Sequence, residues 1–448
     1  MYRLLHRLYR TSSAVLEWGR KRLTFAGGSA IAFTLVVTGG GSTVEQSVGL
    51  RVALFLAALF AVGLATLPFF RGSFSAERLL PRCASVGEPV RYTVRVRNRT
   101  GRRVAGVEVL EQPADTRLDL DAFTARLRAG RRTRHFRVSR NPTRGRMARF
   151  GGAPLPALAS GESATASIEL TPLRRGVLRL DAVLLSRTDP FGLLRSLIRL
   201  PAPDRLVVLP RRYPVPALRM PGNPHPQPLG DTRDNRPGES DEFLGLRDYR
   251  PGDPLRRIHW RGWARTGHAI TREYENERFT RHALVLDTFT DPDNGAVFEE
   301  AVSVAASFAA QDRPDGSLLD LVFVGDRAYR VAGGRGEGGG GRLLEVLAAV
   351  GPTHGRPVET LFQKVLEHLS ELSGVVCVLV EWDAPRREFV RRLVRERLPL
   401  QVYLVASPRE AIRLVVDPEL AGTVRILRSD RVREDLAGLP DFEGGTRR

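Results

Sequence analysis

The stretch Val52–Phe70, VALFLAALFAVGLATLPFF, carries no charge over a length that matches the hydrocarbon core of a bilayer. A helix needs about 17–25 such residues to cross, because each backbone amide must find its partner inside the segment. The run therefore predicts a membrane-spanning helix. Upstream, Leu23–Gly39 is a second apolar stretch, interrupted by Gly27, Gly28 and Ser29, and a Gly-rich loop separates the two. Together they predict a two-helix transmembrane hairpin within a unit ending near residue 71. Residues 1–22 set Arg3, Arg7, Arg10, Arg20, Lys21 and Arg22 against Glu17, whereas the loop offers only Glu45, with Arg51 at the edge of the second stretch. Basic flanks are retained on the cytoplasmic side. Both the N-terminus and everything after Arg71 are thus expected on the cytoplasmic face of the inner membrane. A competing reading treats IAFTLVVTGGGS as a cleaved signal peptide, which leaves the bulk of the chain on the same side.

The remaining charge does not select a partner. The formal net charge is +19, from 69 basic and 50 acidic residues. Only Lys21 and Lys364 are lysines, and the arginines are scattered through every segment. Nucleic-acid binding requires cations gathered on one face, so no nucleic acid is expected, and an anionic-lipid or nucleic-acid binder remains an alternative. Cys83 and Cys377 are too few for a disulfide framework and lack a C-x-x-C partner, so a reducing compartment and buried, inert roles are expected.

Beyond the anchor, EPVRYTVRVRN places Val90, Tyr92, Val94 and Val96 on one face and Arg91, Thr93, Arg95 and Arg97 on the other. Period-two alternation marks a strand with one buried face. AGVEVLEQ, HFRVSR, ATASIEL and GVLRLDAVLLS repeat the pattern, and RTDPFGLLR, residues 187–195, supplies a turn at Asp189-Pro190 and Gly192. An antiparallel β-sandwich over 72–200, of immunoglobulin-like spacing, is expected. Residues 201–240 are proline-rich and read as a connector.

From residue 281 apolar runs alternate with helical periodicity, the pattern of a doubly wound α/β sheet that completes a unit over 241–448. Ligands of such sheets bind at the carboxyl ends of the strands, where Asp287, Asp326 and Asp383 fall. Clustered carboxylates suit a hard divalent cation. With Asp291 nearby, Asp287 and Asp383 are candidate ligands for magnesium or a similar ion. The structural alternatives are a helix cap for Asp383 and a hairpin turn for Asp326. The glycine-rich GGRGEGGGGR, residues 333–342, lacks the Lys-Ser/Thr ending of a phosphate loop and is expected to be a loop. The arrangement is similar to a von Willebrand factor A-like domain, whose metal site uses D-x-S-x-S after the first strand. Here Phe289 stands at a hydroxyl position, and Asp291 at the last serine.

The most specific run is GESDEFLGLRDYRPGDPLRRIHWRGWARTG, followed by HAITREYENERFTRHALVLDT. Its Glu242, Phe243, Arg247, Tyr249, Gly252, Asp253, Arg256, Ile258, Trp260, Ala264 and Arg265 fall at the spacing E-F-x-x-x-R-x-Y-x-x-G-D-x-x-R-x-I-x-W-x-x-x-A-R, with Arg257, one position later, as the alternative arginine. This resembles the signature of the family named domain of unknown function 58. The resemblance extends to the predicted spans and the DPFGL motif. It implies a von Willebrand A-like domain and association with a MoxR-type AAA+ ATPase, often alongside a transglutaminase-like membrane protein. An adaptor without cofactor or catalytic residues is the implied role; a divalent-metal-dependent enzyme or binding module centred on Asp287 and Asp291 is the alternative. From the residues themselves, Pro251 and Gly252 suit a tight turn, and Asp253 suits an arginine partner. Trp260 and Trp263 offer apolar area, with Arg257, Arg261 or Arg265 available to stack, so a clasp holding the chain against the α/β unit is expected. His259 and His268 are candidate bases, but no nucleophile motif accompanies them.

Overall fold

A computed structural model describes residues 2–39, 48–114, 147–215, 243–251, 253, 255, 258–274, 280–290, 294–313, 317–333, 337–353 and 355–438. The chain divides into two units, Met1–Arg211 and Arg212–Arg448.

The first unit opens with three helices, α1 (Tyr2–Arg22), α2 (Phe25–Gly39) and α3 (Val48–Thr66). Residues Gly49–Phe69, with a mean hydropathy of 2.3, are the one segment among the described residues long and apolar enough to cross a membrane. Of the two spans expected, α3 meets this measure, whereas the apolar part of α2 is only Phe25–Val36. At 1.5 Å per residue the 15-residue α2 reaches roughly 22 Å, short of a hydrocarbon core of about 30 Å. Its start is set by Leu23, which bridges Leu194, and by Thr24, whose amide and hydroxyl both donate to Leu193 O (3.1 Å each).

Among the described residues nine strands follow: β1 (Phe74–Leu79), β2 (Cys83–Ser85), β3 (Val90–Asn98), β4 (Val107–Pro113), β5 (Ala148–Phe150), β6 (Ala153–Leu155), β7 (Ser163–Pro172), β8 (Gly176–Thr188) and β9 (Arg195–Leu209). They form two sheets, in the orders β1-β3-β7-β5 and β2-β9-β8-β4-β6. The alternation read in β3 holds, since Tyr92, Val94 and Val96 are buried and the arginines between them are exposed. These side chains share one core with Ile168 and Leu170 of their own sheet and with Val109, Leu180, Leu185 and Leu206 of the other. Burial lifts the Tyr92 phenol far above its usual range, and the nearby Glu111 carboxylate adds to the effect.

Two details depart from expectation. The sandwich is not wholly antiparallel, because β2 pairs with β9 in parallel. The supposed connector also begins inside a strand: β9 continues through Pro201 and Pro203 to Leu209, with Leu206 and Val208 fully buried. Prolines are tolerated there because β2 pairs only with Val207–Leu209, so the earlier half of β9 is an edge where a missing N–H costs no ladder bond. Cys83, expected to be buried, is exposed at the start of the short strand β2.

The second unit carries a two-stranded sheet, β10 (Phe243–Asp248) with β11 (Ile270–Tyr274), joined through the helix α4 (Trp260–Thr266). A six-stranded sheet follows, built from β12 (Arg281–Leu286), β13 (Leu318–Val324), β14 (Ala328–Ala332), β15 (Gly374–Leu379), β16 (Leu400–Ala406) and β17 (Val424–Arg428). Its order is β14-β13-β12-β15-β16-β17, and all pairs are parallel except β13 with β14. That edge hairpin turns at Asp326, which is exposed and bonded to Tyr329.

Helices cover both faces, as the uniformly apolar strands require. On one face, Leu361, Phe362 and Val365 of α6 (Glu359–Leu366) and Phe389, Val390 and Leu393 of α7 (Ala384–Arg395) share a core with the sheet. On the other, α5 (Gly295–Ala309) packs across β12, β15 and β16, with Phe308 against Tyr403 at 4.9 Å between rings. The glycine-rich segment is helical from Glu337 onward, in a helix that runs to Ala349, rather than a loop throughout. Gly340 allows close packing there, since a Cβ would sit 3.0 Å from Ala309 O.

Candidate functional site

Strand order reverses between β12 and β15: the chain moves from β12 to β13 on one side, then returns to place β15 on the other. A crevice opens at the carboxyl ends of two such strands, and ligand sites of doubly wound sheets lie there. Asp287 follows β12, and Glu381 and Asp383 follow β15.

The structure brings Asp287 and Asp383 together around a residue that no sequence signal singled out, Arg386. Its guanidinium is 2% exposed. Nε donates to Asp287 Oδ2 at 2.6 Å, Nη1 to Asp383 Oδ2 at 2.7 Å and Glu381 Oε2 at 3.3 Å, and Nη2 to Phe289 O at 3.0 Å. Asp287 is fully buried and also accepts the amides of Phe289 (3.0 Å) and Val380 (3.3 Å). Asp383 caps α7, accepting the Arg386 amide at 3.1 Å, with Pro at the start of the helix. Burial pushes the Asp287 carboxyl up while the Arg386 charge pulls it back. Burial also pulls Arg386 down, and Asp287, followed by Asp383 and Glu381, more than offsets this, so the guanidinium stays charged.

This geometry does not suit a divalent cation. A cation would need free carboxylate and hydroxyl oxygens, but a guanidinium already sits among the three carboxylates. The Thr288 and Thr353 hydroxyls both donate to Val324 O, at 2.6 and 2.7 Å. Phe289 is buried in the core. Among the described residues no group of three His, Cys, Asp or Glu side chains is placed to hold a metal. In this structure Asp287 and Asp383 are thus held by Arg386 rather than presented to a cation. Asp291 lies outside the described residues. Cys377 is fully buried, and burial, followed by the Asp287 charge, raises its thiol far above the usual range, leaving it unreactive.

The signature segment builds a second candidate surface. Arg247 grips Asp253 through two parallel bonds, Nη1 to Oδ2 at 2.8 Å and Nη2 to Oδ1 at 2.9 Å. Asp253 also accepts the Arg250 amide at 2.9 Å, and these bonds hold its carboxyl below the usual range. The Tyr249 amide donates to Ala269 O at 2.9 Å, and Ile258, which bridges Thr271, is buried beneath the turn. His259 serves as a helix cap rather than a base: its Nδ1 accepts the Gly262 amide at 3.0 Å. His268 pairs with Asp248 at 3.1 Å on the exposed side. Glu242, Gly252 and Arg257 lie outside the described residues; the backbone of Phe243 pairs with Tyr274.

The expected tryptophan clasp is not seen. Trp260 and Trp263 stack on each other, with ring centroids 5.4 Å apart and planes within 16°. They remain 62% and 37% exposed. Adjacent turns of α4 bring residues three apart together, so the rings meet each other before they can meet the sheet. Arg261, Ala264 and Arg265 are exposed on the same short helix.

Comparison with known proteins bears on this region. The family model described as "Protein of unknown function DUF58" matches residues 245–439. The uncharacterized protein YeaD of Bacillus subtilis (strain 168) is 26% identical over 165 residues, covering 36% of this chain and 40% of that protein. The chain thus matches about two-fifths of that relative's length. Among solved structures, a CARDB domain from Pyrococcus furiosus is 12% identical, covering 30% of this chain and 94% of its own, with a TM-score of 0.15. The ASH/PapD-like domain of human CEP192 is 15% identical, covering 30% and 83%, also with a TM-score of 0.15. Such scores do not speak for a shared fold. The stretch that holds both the tryptophan helix and the Asp287–Arg386 cluster, residues 245–439, belongs to the DUF58 family.

Proposed function

We propose that this chain is a membrane-anchored interaction protein, with its large units on the cytoplasmic side, that acts by docking a partner rather than by catalysis. The observation that carries the reading is the stacked, exposed Trp260–Trp263 pair on a capped helix. Exposed aromatic pairs held by a rigid support are typical anchors of protein interfaces. The partner is a MoxR-type AAA+ ATPase, with a transglutaminase-like membrane protein in the same assembly. The second unit acts as a von Willebrand A-like module in which Arg386 stands in for a cation. The two N-terminal apolar helices form the anchor, α3 crossing fully and α2 completing the hairpin. A metal-dependent enzyme has no support in this geometry, since Arg386 already occupies the carboxylates.

The test is co-purification of the detergent-solubilised chain with such an ATPase from its own cell. The Trp260→Ala/Trp263→Ala variant is expected to lose the ATPase at least tenfold. Its unfolding free energy should change by no more than about 0.5 kcal/mol, as for surface positions. Retention of the ATPase by the variant would exclude the tryptophan surface. Absence of the ATPase from wild-type preparations, with nucleotide varied, would exclude the partner.

A further inference from the structure

Helix α1 has a composition that none of the preceding roles uses. Its 21 residues join α2 through only Leu23 and Thr24. At 100° per residue, Val15 and Leu16 fall on one side of the helix and Arg7, Arg10 and Lys21 on the other. That apolar side has no protein cover where it is described: Val15 is 68% and Leu16 71% exposed. Residues 1–22 carry six cations against one carboxylate, Glu17, which is itself paired with Lys21.

Leu23 bridges Leu194, and Ser196 Oγ donates to Leu67 O at 3.2 Å, so the start of α2 and the end of α3 lie against the same hairpin. Phe25 and Phe69, at those two helix ends, are exposed, as are Trp18 and Phe191. Aromatic side chains gathered where a span leaves the apolar phase mark the level of the lipid headgroups. A helix beginning at that level, apolar on one side and basic on the other, fits a surface of anionic lipid.

We propose that α1 lies in the plane of the membrane surface, with Val15 and Leu16 in the acyl boundary and Arg7 and Arg10 among anionic lipid phosphates. This rests on the reading of α3 as a span. The experiment uses the full chain with Cys83→Ser, which leaves only the fully buried Cys377, reconstituted into phosphatidylcholine vesicles with and without phosphatidylglycerol. Nitroxide labels are placed singly at Val15→Cys, Arg10→Cys and, in α3, Phe55→Cys. With phosphatidylglycerol, the labels at 15 and 55 are expected to relax faster with oxygen than with a water-soluble nickel chelate, and the label at 10 the reverse. Loss of phosphatidylglycerol should abolish the oxygen preference at 15 but not at 55. Nickel access at 15 with oxygen access at 55 overturns the proposal and leaves the span intact. Protection of 15 from both reagents also overturns it, because α1 then packs on protein. Nickel access at 55 defeats the reading of the span itself. An unchanged contrast at 15 in phosphatidylcholine alone overturns the assignment of Arg7 and Arg10 to lipid phosphate.

Discussion

Arg386 and Asp287 show how much one buried contact can decide. Two charges removed from water cost several kcal/mol each, and only their mutual geometry and the added amide bonds offset this. Removing one partner strands the other, so Arg386→Ala is expected to destabilise the second unit by about 3–5 kcal/mol, measured by urea unfolding. The double change Asp287→Leu/Arg386→Met should recover most of that loss, because no lone charge remains. Asp287 was readable in advance, since an aspartate ending an apolar run falls at a strand's carboxyl end. Arg386 was less so: it is one of five arginines in α7, set apart from Arg387, Arg391, Arg392 and Arg395 only by sharing the stripe of Phe389, Val390 and Leu393. Its burial is set by where β12 delivers Asp287, 99 residues earlier. Asp253 gives a pH prediction. Its folded pKa is lowered by Arg247 and then by the Arg250 amide. The stabilisation is therefore complete above the unfolded value of about 3.9 and is lost as the pH falls through the lower folded value. The Arg250 amide resonance should hold its position down to about pH 4 and shift only below it. A shift centred above that value would mean the turn is not paired in solution.

Among the elements, the hairpin of β8 and β9 is the most instructive. Its turn, Asp189–Leu193, was visible as DPFGL, and Gly192 adopts φ +72°, a region that favours glycine. Asp189 holds the turn closed by accepting the Leu194 amide at 2.9 Å. What local sequence could not show is that the turn rests on the helices: a Cβ at Gly27 would lie 2.2 Å from Leu193 O, and one at Gly63 would lie 2.8 Å from Asp189 Oδ2. Gly27→Val should therefore push turn and helix apart, at a cost of about 1–3 kcal/mol seen as a lower thermal midpoint for the first unit. Gly28→Val, with open space at its Cβ, is the matched control and should change little. The alternation of β3 was legible because one face is wet. The passage of β9 through two prolines was not, because pairing on one side only is a property of the sheet.

For the whole molecule, the order of apolar helices, β-rich segment and α/β unit followed from shifts in hydrophobic period, which are local. The division at Arg211–Arg212 places the end of the β-rich unit later than the composition suggested, because β9 extends to Leu209. The exposure of the tryptophan pair was hidden for a similar reason, since apolar area in a sequence does not say what will cover it. The hairpin of β8 and β9 has one more consequence. Its strands of 13 and 15 residues give a stiff rod roughly 45 Å long, seated at its tip against α2 and α3. A helix that crosses a bilayer tilts as the bilayer thins. On the proposed reading of α3 as a span, the close approach of Gly63 to Asp189 would carry a tilt of α3 into the foot of that rod.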